Sequence, residues 1–171
     1  MLKLTRTTAA VAGATLVSGV LVATAAPAGA STGTFVIHLT EIQTSSSDTF
    51  GNNAPKVGDS FSFKSRLMQK GKKVGDDAGT CTFKKIQGSA SNPTGGTVRC
   101  AVTFTFTKGT MRAVGKVRIP FSNNVQPPFN VPIVSGTGRF AGAKGTLKNR
   151  EITETKSRLT FTLPGFTDPG Q

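Results

Sequence analysis

The sequence predicts an all-β domain, either a β-sandwich or a closed barrel. Apolar and polar residues alternate with a period of two along most of the chain, and no long segment repeats with the period of a helix. Short clusters of Gly, Asn, Asp, Ser and Pro separate eight such runs, and this is the composition of turns. Many short strands are typical of both architectures, and alternation alone does not choose between them.

The N-terminal residues 1–30 are organised like a secretory signal peptide. A positive end with Lys3 and Arg6 precedes a long uncharged run, and small residues lead up to a cleavage position after Ala30. A membrane anchor is the alternative, but the run is only weakly apolar and of marginal spanning length. We therefore expect a secreted, extracellular protein with a single domain over residues 31–171, which is long enough to bury a core.

In the first half of this domain, four runs place mostly apolar side chains at every second position, and each run predicts one strand. The intervening clusters 45–47, 51–53, 75–77 and 91–96 are predicted to be turns or loops. The side chains that share a face are, in chain order, Phe35, Ile37, Leu39, Glu41 and Gln43; Phe61, Phe63, Ser65 and Leu67; Cys81 and Phe83; and Val98, Cys100, Val102, Phe104 and Phe106.

The second half predicts four more strands by the same pattern. Pro132 lies within one of them and predicts a sheet edge or a bulge, because proline has no N–H for a ladder hydrogen bond. The four strands contain Met111, Ala113, Gly115, Val117 and Ile119; residues 129–134; residues 145–152; and Leu159, Phe161 and Leu163.

A glycine-rich stretch, residues 136–145, lies between the sixth and seventh of these strands. It carries one aromatic side chain, Phe140, among small and cationic residues. We interpret it as a compact turn that buries Phe140, because glycine permits positive φ and close backbone approach. A nucleotide-binding loop is the alternative, but the third glycine of a dinucleotide motif and a Gly-Lys-Ser/Thr ending are both missing.

The two cysteines, Cys81 and Cys100, fall on the apolar faces of consecutive predicted strands. A disulfide bond between them is expected, because disulfides persist in exported proteins. Two free thiols in the interior are the alternative. No metal site is predicted, since two Cys and one His do not form a recognisable ligand spacing.

The pattern Gly-x-Gly-x-Phe-x-x-Ala-x-Gly, from Gly136 to Gly145, resembles the late barrel segment of plant allene oxide cyclases and dirigent proteins. A weaker resemblance extends over about residues 34–163. It implies an eight-stranded antiparallel β-barrel with an apolar lumen, and so favours the barrel over the sandwich. Related barrels are often trimers, but the oligomeric state of this chain is left open.

The resemblance also implies site positions. Glu41 matches a lumen glutamate on the first strand of allene oxide cyclases, and Gln43 replaces the asparagine that follows it. Pro55 matches a loop proline, and Cys81 ends a Gly-x-x-x-Gly-x-Cys run like that of a lumen cysteine. A bond to Cys100 would put the family role of Cys81 in doubt. The family's lumen tyrosine has no counterpart, because the chain contains no Tyr.

Glu41 is accordingly the candidate catalytic residue, as a proton donor or acceptor or as a group that stabilises positive charge. The alternative is a rim glutamate bonded to the backbone or to Lys64 or Arg66. The predicted ligand-binding residues are Gln43, Pro55, Phe63, Cys81, Phe104 and Phe106. Most of the other acids are expected in or beside turns: Asp48, Asp59, Asp76 and Asp77. Glu151 and Glu154 flank the turn between the seventh and eighth strands and are expected to be solvated. His38 is expected on the opposite, outer face of the first strand.

Three functions remain open at this point. The first is a barrel that binds an apolar small molecule and steers its cyclisation or stereoselective coupling, which would make it an isomerase or cyclase. The second is a non-catalytic carrier of such a ligand. The third is a basic protein that binds anionic polymers of the cell envelope, since the formal net charge is +13. A nucleic-acid partner is not expected, because Trp and Tyr stacking platforms are absent, and no cofactor is predicted.

Overall fold

The barrel prediction is confirmed in a computed structural model, which describes residues 33–89, 91–121 and 126–167. The predicted signal peptide lies outside the described residues. In the described part of the chain, no helix is long and apolar enough to cross a membrane. The elements are β1 (Thr34–Asp48), β2 (Ser60–Gln69), β3 (Lys72–Ser89), β4 (Asn92–Phe106), β5 (Gly109–Pro120), β6 (Phe129–Gly136), a 3₁₀ helix (Gly138–Phe140), β7 (Gly145–Thr153) and β8 (Lys156–Pro164).

Each strand is antiparallel to the next, and β8 pairs with β1 to close the barrel. Along that seam Leu39 lies opposite Leu159, and Ile37 lies opposite Phe161. Because side chains alternate along every strand, closure brings the apolar faces of all eight strands into one interior.

Strand β3 is longer than the sequence predicts. The cluster 75–77 was expected to form a turn, but it lies inside β3, and Asp76 is paired with Arg66 of β2 and Thr105 of β4. Hydrogen-bond ladders on both sides outweigh the local turn preference of Gly and Asp. The prediction of a turn at 75–77 is therefore wrong. Because these residues continue β3, the side chain of Asp77 lies on the inner face of the barrel. The clusters 45–47 and 91–96 are also largely in strands.

Pro132 lies in a strand that has neighbours on both sides, so the expected sheet edge is absent. It pairs with Thr146 of β7. On the other side, the ladder between β5 and β6 is short, and its register shifts so that Val134 has no partner on β5. The expected bulge is thus at Val134, two residues beyond Pro132, and Pro132 itself has no ladder partner on β5 that would need its missing N–H.

One end of the barrel is filled by packed side chains. The rings of Phe104 and Phe161 meet edge to face with centroids 4.9 Å apart. Phe140, in the 3₁₀ helix, is buried and closes this end, as the sequence predicts. A Cβ atom at Gly136 would collide with the backbone oxygen of Phe140, so glycine is needed there. The other buried side chains at this end include Leu39, Leu67, Met111 and Leu163.

The disulfide between Cys81 and Cys100 is present, and the two residues lie directly opposite each other on β3 and β4. Reduction is expected to lower the free energy of unfolding by about 3 kcal/mol, because the bond restricts the unfolded chain over a loop of this size. Urea unfolding with and without reductant measures the effect. The matched control is Cys81→Ala/Cys100→Ala, which should not respond to reductant. Equal midpoints for the oxidised and reduced wild type would contradict the prediction.

Candidate functional site

The barrel interior opposite the packed end is a cavity of about 320 Å³. Its wall is mostly apolar, and polar side chains gather near the turn between β7 and β8. The apolar lining consists of Phe61, Phe63, Cys81, Cys100, Val102, Phe104, Ala113, Val117, Ile119, Phe129, Val131, Leu147 and Leu159; the polar lining consists of Glu41, Gln43, Gln126, Asn149, Glu151, Glu154, Thr155 and Ser157.

Five of the predicted site residues are brought together in this cavity: Glu41, Gln43, Phe63, Cys81 and Phe104. Cys81 presents a disulfide sulfur and no thiol, so the thiol of the family's lumen cysteine has no equivalent here.

Two other predicted ligand-binding residues are not brought into the cavity. Phe106 lies two residues beyond Phe104, and its ring packs on Phe140 at the filled end, with centroids 5.1 Å apart. The filled layer at Phe104 separates it from the cavity. Pro55 belongs to the loop between β1 and β2, and it is not among the described residues that line the cavity.

Glu41 lies at the floor of the cavity, where the open part of the lumen meets the packed part. Its side chain is only 9% exposed, and the Ser65 hydroxyl donates a hydrogen bond to Glu41 Oε1 at 3.1 Å. Lys64 and Arg66, the cations considered as alternative partners, flank Ser65 on β2 and are exposed on the outer face. The Glu41 side chain therefore points into the barrel, and neither Lys64 nor Arg66 pairs with it.

A second carboxyl group, Asp77, is buried beside Glu41. It is 3% exposed and lies opposite Ser65 of β2 and Phe104 of β4. No N–H or hydroxyl group of the described residues donates a hydrogen bond to either carboxylate oxygen, and the neighbouring Glu41 carboxyl group is a donor to Asp77 when it is protonated. Sequence reasoning missed this residue because it placed Asp77 in a turn. The available signal was that Asp77, Gly79, Cys81 and Phe83 continue one alternating face.

The two carboxyls hold protons more tightly than exposed acids do. Burial, followed by repulsion from Asp77, raises the pKa of Glu41 from 4.5 to about 8. Burial also raises the pKa of Asp77, from 3.8 to about 6. The pair therefore carries a single negative charge at neutral pH and shares one proton. It can donate or accept a proton, or stabilise positive charge, in surroundings that exclude most water.

Glu151 and Glu154 lie at the opening of the cavity. The expectation of solvated side chains fits Glu154, which is exposed, whereas Glu151 is half-buried and accepts a hydrogen bond from the Gln126 backbone N–H at 2.6 Å. His38 lies on the outer face as expected, with Nδ1 3.2 Å from Thr160 Oγ1. Among the residues described, no group of three His, Cys, Asp or Glu could hold a metal ion.

The raised pKa values predict that this acid pair makes the protein less stable as the pH rises. Protonation is stronger in the folded state than in the unfolded state, so the stabilisation is complete below about pH 4 and is lost as the pH passes through about 6 and 8. Melting temperatures of wild type should therefore fall relative to those of Glu41→Gln/Asp77→Asn across this window. Parallel pH profiles for the two proteins would contradict the prediction.

Comparison with known proteins shows that other proteins share this barrel fold. Residues 39–163 match the allene oxide cyclase barrel-like domain. No curated protein sequence matches the chain. A solved pyocyanin demethylase is 27% identical over 75% of this chain and 99% of its own, with a TM-score of 0.59.

Two further solved structures share the fold at lower identity. A Diels–Alderase from Streptomyces koyangensis is 22% identical over 78% of this chain and 68% of its own, with a TM-score of 0.59. A pterocarpan synthase dirigent protein is 16% identical over 77% of this chain and 86% of its own, with a TM-score of 0.52.

Proposed function

The chain belongs to the allene oxide cyclase barrel-like domain family, and on that premise we propose that it binds an apolar small molecule in its lumen and steers the cyclisation or stereoselective coupling of that molecule. The observation that carries this proposal is the half-open lumen, with apolar walls and the Glu41–Asp77 pair at its floor. Apolar walls exclude water and hold a substrate in one conformation. An acid that holds its proton at neutral pH can donate it to an oxygen of a substrate that cyclises by a polar route.

The similar proteins support this class of chemistry. They include a Diels–Alderase, whose name describes ring formation, and a dirigent protein that is a pterocarpan synthase. The pyocyanin demethylase shows that a similar barrel also hosts a different reaction. The shared feature is a barrel fold, and the reaction of this chain is set by the groups in its own lumen.

The first test separates lumen binding from turnover. Binding is measured with Nile red, a neutral apolar dye whose emission reports transfer from water to an apolar site. Turnover is measured on polyenes, short-lived allene oxides generated in situ and phenolic radical pairs, with products resolved by chiral chromatography. Faster product formation or an enantiomeric excess absent without protein is expected. Nile red binding without any effect on products would favour the carrier function, and absence of both would overturn the proposal.

Like charges that face each other on the outer surface favour a second candidate function, adsorption to anionic polymers of the cell envelope. Arg99 lies opposite Lys116 on β4 and β5, and Arg150 lies opposite Arg158 on β7 and β8, all four exposed. The two positive charges within each pair repel each other, and a bound polyanion lowers this repulsion. If the protein is retained on washed cell envelopes and high salt releases it, this function is supported. Retention that does not depend on salt would contradict it.

Export of the protein is part of the proposal. The signal-peptide pattern of residues 1–30 motivates it, and the Cys81–Cys100 disulfide supports it, because such bonds persist in oxidising compartments. The intact mass of protein recovered from culture medium should begin at Ser31. A protein that retains Met1 in the membrane fraction would contradict export by cleavage.

A further inference from the structure

The lumen has the opposite charge character to the rest of the molecule. The chain contains 21 Lys and Arg against 8 Asp and Glu. Of the described residues that line the cavity, none is Lys or Arg, and the ionisable ones are Glu41, Glu151 and Glu154. Asp77 lies directly behind Glu41. Half of the acids in the chain therefore surround one cavity, although basic residues outnumber acids on the chain as a whole.

A buried carboxyl pair with a net negative charge provides an independent indication of what the cavity binds. Asp77 is 3% exposed on the inner face of β3, and the one proton that it shares with Glu41 leaves a negative charge that no described Lys or Arg in the cavity lining offsets. Burial of a charge costs free energy unless a donor or a positive charge compensates it. Asn149 Oδ1, on the cavity wall, is buried without a hydrogen-bond partner among the described residues. The cavity therefore presents a buried negative charge and an unsatisfied hydrogen-bond acceptor.

We propose that the lumen selects an apolar ligand that carries a positive charge or a strong N–H donor, such as a protonated amine or a cationic N-heterocycle. This inference rests on the proposed function and names the ligand class of that site. The charged or donor group lies at the floor beside Glu41, within the field of Asp77, and the apolar body lies between Phe61, Phe63 and Val131. An anionic ligand is repelled at both the floor and the mouth.

Three tricyclic probes of similar shape test the charge preference directly: N-methylacridinium, which is a cation, 9-anthracenemethanol, which is neutral and has no basic nitrogen, and anthracene-9-carboxylate, which is an anion. Equilibrium dialysis of each probe at low and high salt gives its Kd, and displacement by Nile red identifies binding in the lumen. The cation is expected to bind about tenfold or more tightly than the neutral probe, because the charge at the floor acts in a poorly solvated site. Attraction to the basic outer surface would instead favour the anion and would disappear in high salt.

Paired variants on one strand locate the source of the preference. Asp77→Asn removes the buried charge with little change in shape, and it should reduce the preference for the cation to about threefold or less. The matched control is Asp76→Asn, the next residue along β3. Asp76 is exposed, and its Oδ2 pairs with Lys73 Nζ on the surface at 2.8 Å. This control should bind all three probes like wild type.

The outcomes separate this inference from the proposed function. A preference for the cation that is lost in Asp77→Asn and kept in Asp76→Asn supports the ligand class. Neutral and cationic probes that bind equally in the lumen overturn the ligand class and leave lumen binding standing. Failure of all three probes to compete with bound Nile red also overturns it. The proposed function is then judged separately by Nile red binding and by turnover, which use none of these probes.

Discussion

Phe140→Ala is expected to lower the free energy of unfolding by about 3–5 kcal/mol, the cost of truncating a buried phenylalanine. Phe140 is 6% exposed, and its ring packs on Phe106 and Phe166 with centroids 5.1 and 6.2 Å away. The ring closes the packed end of the barrel. Truncation therefore leaves a cavity. Urea unfolding, or the yield of folded protein, measures the loss.

Two comparison variants make this result specific. Phe140→Leu keeps most of the apolar volume and should lose much less stability than Phe140→Ala. Val57→Ala truncates a side chain that is 64% exposed and should change stability by no more than about 0.5 kcal/mol. A midpoint for Phe140→Ala that equals that of wild type would show that the ring does not support the fold.

Glu41→Gln is expected to reduce turnover by about 10²–10⁴-fold on any substrate that wild type converts, the range typical of a lost acid or base. At neutral pH the glutamate is protonated, because its pKa is raised to about 8. Glutamine reproduces the shape and hydrogen-bonding capacity of that neutral form, including acceptance of the bond from Ser65. It cannot transfer a proton. Rates of product formation at saturating substrate, together with Nile red affinity, measure the effect.

A loss of turnover with unchanged Nile red affinity would assign a chemical role to the Glu41 proton. Turnover that depends on this proton should also fall in wild type as the pH rises through about 8. Asp76→Asn, outside the lumen, serves as the matched control and should retain wild-type rates. Full activity in Glu41→Gln would show that the lumen acts by shape alone.

Much of the barrel could be predicted from the alternation of apolar and polar residues along the chain. The inward faces of β1, β2, β4, β5 and β8 are those predicted, because side-chain direction in a strand depends only on odd or even position. The same rule put Glu41 on the lumen side and Cys81 on the same face as Cys100. The choice of a closed barrel over a sandwich did not come from alternation; it required the resemblance carried by the stretch from Gly136 to Gly145.

Tertiary structure determined how deep each side chain lies along the barrel axis. It also determined whether segments with an ambiguous local sequence form turns or strands. Phe104 and Phe106 share a face and a residue type, yet only Phe104 borders the cavity, because position along the barrel axis depends on how all eight strands are staggered. Gly75-Asp76-Asp77 has the composition of a turn, but pairing with β2 and β4 extends it into a strand. The carboxyl pair of Glu41 and Asp77 therefore exists only in the folded barrel, since no local pattern brings β1 and β3 together.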